Sequence, residues 1–153
     1  MSSKYEVNGS EQFSGAEISC VLHATEDENS VLKSAAKLFS ISEDKFFFKR
    51  LEGHWGNPIT YLFALLDGKE ARTTALSISL ALNSVDKVQL KNTLHSLVDE
   101  KGNMYIRIDK QAMCRGKIKL SEFDAVRIKF KPVKTYRKIA HIPDYKVILS
   151  LGE

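Results

Sequence analysis

Apolar and polar residues alternate in short runs along this chain, and three longer stretches carry apolar residues every third or fourth position. In EISCVLHAT, Ile18, Cys20, Leu22 and Ala24 fall on one face at period two, which predicts a strand. Thr25 and Glu28 have capping-box spacing, and Val31, Leu32, Ala35, Leu38 and Phe39 form the stripe of the helix expected to follow. KFFFKRLE and PITYLFALL read as strands; the second is apolar on both faces, which predicts a central place in a sheet. Asp67–Gly68 signals a turn after it.

KEARTTALSISLALN follows as a helix with Ala71, Ala75, Ile78 and Leu82 at helical spacing. Ser84 is the expected N-cap of a third helix with Leu90, Leu94, Leu97 and Val98 inward, and Gly102 suits its left-handed stop. Three alternating segments, MYIRID, KIKL and AVRIKF, finish the domain. The order β-α-β-β-α-α-β-β predicts an α+β fold, a largely antiparallel sheet with the helices packed on one face. Residues 1–15 read as a flexible N-terminus, 16–133 as one domain, and 134–153 as a C-terminal extension. The YKVILSL run in that extension suits an extra edge strand or a docking tail.

A length of 153 residues suits a single domain. No apolar run approaches the ~20 residues that cross a bilayer, and the first fifteen residues lack the apolar core of a secretion signal. Cys20 and Cys114 show no metal-ligand spacing. They suit free thiols in a reducing compartment, with a single disulfide as the alternative, so the cytoplasm is the expected location.

Charge changes the picture. The net +4 hides a segment, 101–140, that holds twelve Lys and Arg against Asp109, Glu122 and Asp124, a net of +9. A block of this kind points to a polyanion, nucleic acid being the commonest. Overlaid on the pleat, Met104, Ile106, Ile108, Ile118, Leu120, Val126, Ile128 and Phe130 face the core. Tyr105, Arg107, Lys117, Lys119, Arg127, Lys129 and Lys131 face outward. Outward lysines can serve solubility alone, but a solvating surface mixes both signs and this one scarcely does. The three strands in one sheet would make a positive face for a phosphate backbone.

Two strings carry the remaining candidate chemistry. In LEGHWGNPI, Gly53 and Gly56 allow unusual backbone angles and Asn57–Pro58 favours a sharp turn into the next strand. Trp55 reads either as a stacking platform for an unpaired base or as a plug at the end of the core. His54 suits a phosphate or base-edge contact, or a bond to the turn's own backbone, with Glu52 to position it. In IRIDKQAMCRGKIKL, Asp109 suits a cap on the stretch that Gly116 closes. Lys110 and Arg115 are candidate phosphate contacts there, and Gln111 a base-edge or sugar contact. The four histidines are scattered, and no phosphate-binding glycine loop, serine elbow or paired-cysteine motif occurs. A binding protein without metal or cofactor is expected, a protein-interaction module docking an acidic partner being the alternative.

HATED at 23–27, EGHWGNPI at 52–59 and DEKGNMYIRIDKQA at 99–112 together resemble an archaeal family of predicted RNA-binding proteins, also regarded as predicted exosome subunits. The resemblance runs from about residue 16 to 132. It implies a fold similar to ribosomal large-subunit protein five, RNA as the polyanion, and exosome or ribosomal proteins as partners. It also implies roles for His54, Gly56, Asn57, Asp109, Lys110 and Gln111. The chain departs from the family at Trp55, where Tyr is usual, and at Met113, where a second Ala is usual.

Overall fold

The computed structural model describes residues 13–133 together with 145, 146, 149 and 150. The described elements are β1 (Phe13–Leu22), α1 (Glu28–Phe39), β2 (Phe46–Glu52), β3 (Pro58–Asp67), α2 (Gly68–Ala81), α3 (Ser84–Leu97), β4 (Met104–Asp109), α4 (Lys110–Cys114) and β5 (Ala125–Pro132). All five strands join one antiparallel sheet in the order β2-β3-β1-β5-β4. The fold is thus the α+β arrangement expected from periodicity, with one short helix, α4, added between the last two strands. Ala16, Ile18, Cys20, Leu62, Ala64, Ile106, Ile128 and Phe130 pave one sheet face and pack with Val31, Phe39, Ala75, Ile78, Leu90 and Leu94 of the helices. Burying the Val, Leu, Ile and Phe side chains among them contributes roughly 1.5–3 kcal/mol each. No described helix is long and apolar enough to cross a membrane.

Three local expectations are corrected. The first helix is capped by Asp27, whose carboxylate accepts the Asn29 and Ser30 amides, and not by Thr25. Glu28 is drawn instead into a two-pronged contact with Arg50, at 2.9 Å for both oxygens. The capping box lies at Asp67, which ends β3 and starts α2 at once, with Glu70 closing the reciprocal bond. Asp67→Ala is therefore expected to cost about 1 kcal/mol, seen as a lower urea midpoint at unchanged slope. α3 is capped by Asn83, and Gly102 (φ +90°) belongs to the turn after that helix.

The third correction concerns KIKL, which is no strand. It meets β4 at a single bridge, Ile108 with Leu120. Two bonds flank that bridge, the Asp109 amide to the Lys119 carbonyl at 2.8 Å and the Ser121 amide to the Arg107 carbonyl at 3.1 Å, while the Lys117 amide is drawn back to the Ala112 carbonyl at the end of α4. The Leu120 amide, which points away from β4, donates to the Asp86 carboxylate of α3 at 2.9 Å. Ile118 still enters the core. Both thiols are free, and burial pushes that of Cys20 up to about 12, which leaves it inert. Of the YKVILSL run, Tyr145 and Leu149 are buried in the domain core, Tyr145 against Phe13 with its hydroxyl donating to the Gly102 carbonyl.

Candidate nucleic-acid interface

The sheet face opposite the helices is built by residues that alternate with the core set. Register places one residue of each strand in a single transverse row, Phe47–Phe63–Ser19–Arg127–Arg107. The next row holds Leu65, Glu17, Lys129 and Tyr105, and Lys131 follows on β5 beside Gly15. Strand pitch is about 4.8 Å, so the main row spans roughly 19 Å.

The β4–β5 half is cationic and ordered. The Tyr105 hydroxyl donates to Asp99 at 3.1 Å, which fixes its ring. The Arg127 guanidinium carbon lies 5.1 Å from the ring centroid and Lys129 Nζ 5.7 Å, both within cation–π range. Tyr105 thus positions cations more than it offers an open stacking surface. Arg107 is exposed beside Arg127, and an open cleft of about 360 Å³ lies between Ser96, Leu97, Tyr105, Arg107 and Arg127. Lys131 pairs with Glu17; that hydrogen bond holds the Glu17 carboxyl below its ordinary value against a weaker push from burial. Arg107, Arg127 and Lys129 have no acid partner among the described ion pairs.

The other predicted residues separate. Lys117, Lys119 and Arg115 are exposed on the α4–β5 connection, at the sheet's edge and not on its strands. Lys110 is 0% exposed and is no phosphate contact. Its ammonium donates to the Val21 carbonyl at 2.7 Å and lies 2.7 Å from Glu26 and 2.8 Å from Asp124. Gln111 reaches the same two carboxylates, and the His23 ring nitrogen Nε2 lies 3.1 Å from Asp124. Burial pushes Lys110 down, but its bonds to Asp124 and Glu26 outweigh that and raise its pKa. Burial pushes both carboxyls up, and the Lys110 bond in each case, with others, brings them below their ordinary values. Asp109 caps α4 through the Gln111 and Ala112 amides, as its position suggested.

HATED and DKQ, more than eighty positions apart in the chain, are therefore two sides of one ionic knot. The DEKGN string is a turn organised by Asp99, which accepts from Lys101, Asn103 and Tyr105. The EGHWGNPI string is the β2–β3 hairpin tip. Gly53 is there for space: a Cβ would collide with the Ile59 side chain. Gly56 takes φ +75°. Trp55 is also left-handed, at φ +66°, a costly geometry for a bulky residue, and 88% exposed. The core-plug reading of Trp55 is therefore set aside. Asn57 and Pro58 are exposed where β3 begins, and the His54 side chain lies outside the described residues.

Sequence reasoning missed the other half of the face. Phe47 and Leu51 of β2, Ile59, Tyr61, Phe63 and Leu65 of β3, and Val21 of β1 all point away from the helices. Phe47 (43%), Leu51 (44%), Leu65 (57%) and Val21 (40%) are well exposed. Phe63 stacks with Phe47 at 5.7 Å and with Tyr61 at 5.8 Å between centroids. The two-sided apolarity of PITYLFALL was the available signal, but it reads equally as burial on both faces.

The sequence model of a family described as RNA binding matches residues 15–132. An RNA-binding protein of Pyrococcus abyssi is 35% identical over 118 residues, 72% of this chain and 77% of that protein. An uncharacterised protein of Methanocaldococcus jannaschii is 34% identical over 116 residues, 71% of this chain and 76% of its own length. A solved structure from Methanothermobacter thermautotrophicus superposes with a TM-score of 0.73 at 23% identity, over 90% of this chain and 98% of that one. That last likeness speaks for the fold alone.

Proposed function

Because the chain belongs to the RNA-binding family whose model spans residues 15–132, we propose that it holds RNA on the β4–β5 half of its open sheet face without cleaving it. The observation that carries this reading is the cluster of Arg127 and Lys129 over the fixed Tyr105 ring with Arg107 beside them, cations that form no ion pair among the described residues. Arg107 and Arg127 sit as direct cross-strand neighbours, a spacing that like charges tolerate best with an anion between them. Guanidinium forks suit phosphate oxygens, and Lys129 and Lys131 extend the track along β5. Arg115, Lys117 and Lys119 at the sheet's edge add to the attracting field. Lys110 and Asp109 serve as structural residues at the end of β4, and Trp55 and Asn57 lie at the β2–β3 hairpin tip on the other side of the sheet. Exosome or ribosomal proteins are the partners this reading favours, since such assemblies handle RNA.

Titration of labelled RNA at several salt concentrations tests the proposal. Three or four neutralised phosphates, at about 0.7–0.9 each, predict a log–log slope of about −2 to −3.5. A slope near zero, or no binding at low salt, overturns it and turns the cationic face into a protein-docking surface.

A further inference from the structure

From the rings that share this face with the cations, we infer that the ligand is single-stranded RNA, whose unpaired bases stack on the aromatic β2–β3 half. The inference rests on the backbone-binding reading of the β4–β5 half. Phe47, Phe63 and Tyr61 form a continuous strip of rings whose outward side no described helix covers. Exposed contiguous apolar surface of this kind is disfavoured unless something covers it. The occupant is indicated by the main row. Phe47 and Phe63 stand at one end, Arg127 and Arg107 at the other, and only the small Ser19 lies between.

β3 and β5 are two strand pitches apart, roughly 10 Å. A ligand filling the row must therefore present an anion and a flat apolar group within about that distance. A nucleotide with its phosphate on β5 and its base on β3 does so. Along the strands, Lys129 and Lys131 continue the cationic track on one side of this row, with Leu65 level with Lys129, and Tyr61 continues the ring strip on the other side. The central strand contributes Ser19 and Val21 to this gutter and one acid, Glu17, already paired with Lys131. A duplex hides its base faces in the stack and would leave the rings uncovered, whereas splayed bases cover them. An apolar protein partner would cover the rings but gain nothing from the cations.

The test compares a single-stranded decamer with a duplex of the same length, using the full chain and its Phe47→Leu/Phe63→Leu variant. Leu keeps the apolar bulk and removes the ring. Single-strand affinity is expected to fall about 10- to 100-fold and duplex affinity to stay within a factor of about two. Unchanged single-strand affinity in that variant, with Arg107→Glu/Lys129→Glu still losing it, overturns the stacking inference and leaves the backbone-binding reading intact. Absence of any RNA binding by the unaltered chain overturns both. Self-association that the Leu variant abolishes would assign the rings to a second copy of this chain and overturn the inference as well. Photocrosslinking of the unaltered chain to a 5-iodouridine decamer needs no variant to fold. Crosslinks within residues 46–52 and 58–67 are expected, and their confinement to residues 104–131 would count as refutation.

Discussion

Replacing Lys110 with Met is expected to lower the stability of the domain by about 3–5 kcal/mol, since removing one partner of a buried ion cluster strands the others. The ammonium is fully buried, and its loss leaves the Val21 carbonyl without its 2.7 Å donor and sets Glu26 and Asp124 against each other. Asp124 also sits at φ +47°, and the Lys110 amide donates to its carbonyl, so the knot holds a strained turn in place. The readout is the urea midpoint, together with a thermal midpoint lower by roughly 10 °C for a chain of this size. The triple variant Lys110→Met/Glu26→Gln/Asp124→Asn is expected to recover part of the loss, because the uncompensated charges are then gone.

The pH dependence has a definite sign. Glu26 and Asp124 have lowered pKa values in the folded chain, so they contribute stability above the ordinary carboxylate range. That contribution is lost as pH falls through their depressed values. In Lys110→Met the same carboxyls face each other without a cation, and protonation relieves them. The gap between the unaltered chain and the variant should therefore narrow on going from about pH 7 to pH 3. A gap that widens on acidification would show that Lys110 acts through packing and not through charge.

Reversing two charges on the face, Arg107→Glu with Lys129→Glu, is expected to weaken RNA binding on the order of 100-fold near 0.1 M salt and flatten the log–log slope by about 1.4–1.8, two phosphate contacts' worth. Arg107 is exposed and Lys129 half-buried at the surface, so the fold is expected to survive, which circular dichroism checks. Lys117→Glu with Lys119→Glu makes the same change in net charge on the edge connection. If the face holds the backbone, that second pair lowers affinity several-fold less, because it removes attraction at a distance and no contact. Equal losses from the two pairs would mean that RNA responds only to total charge.

Much of the architecture is legible from periodicity because a half-buried strand and a one-sided helix each write their burial into the sequence. Ile18, Cys20 and Leu22, the Ala71–Ala75–Ile78 stripe, and Val126, Ile128 and Phe130 are all where alternation or helical spacing placed them. The same pleat predicted Arg107, Arg127, Lys129 and Lys131 on the outward face, and β4 and β5 do bring them together there. Local chemistry also sufficed for Asp109, whose carboxylate needs only the next two amides to act as a cap.

What the tertiary structure alone decided depends on contacts between residues remote in sequence. KIKL alternates well enough to be a strand, yet its Lys117 amide is drawn back to Ala112 at the end of α4 and its outer Leu120 amide to Asp86, thirty-four positions earlier, so it meets β4 at one bridge only. Lys110 carries the same charge as its neighbours, and only the convergence of Val21, Glu26 and Asp124 makes it structural. The aromatic half of the face was hidden for a related reason. Apolarity in a strand reports that a surface avoids water, but the sheet's neighbours decide whether helices cover that surface or leave it open. Alternation is a local consequence of the backbone and is written in the residues themselves. Coverage and ion pairing arise only when the chain has closed on itself.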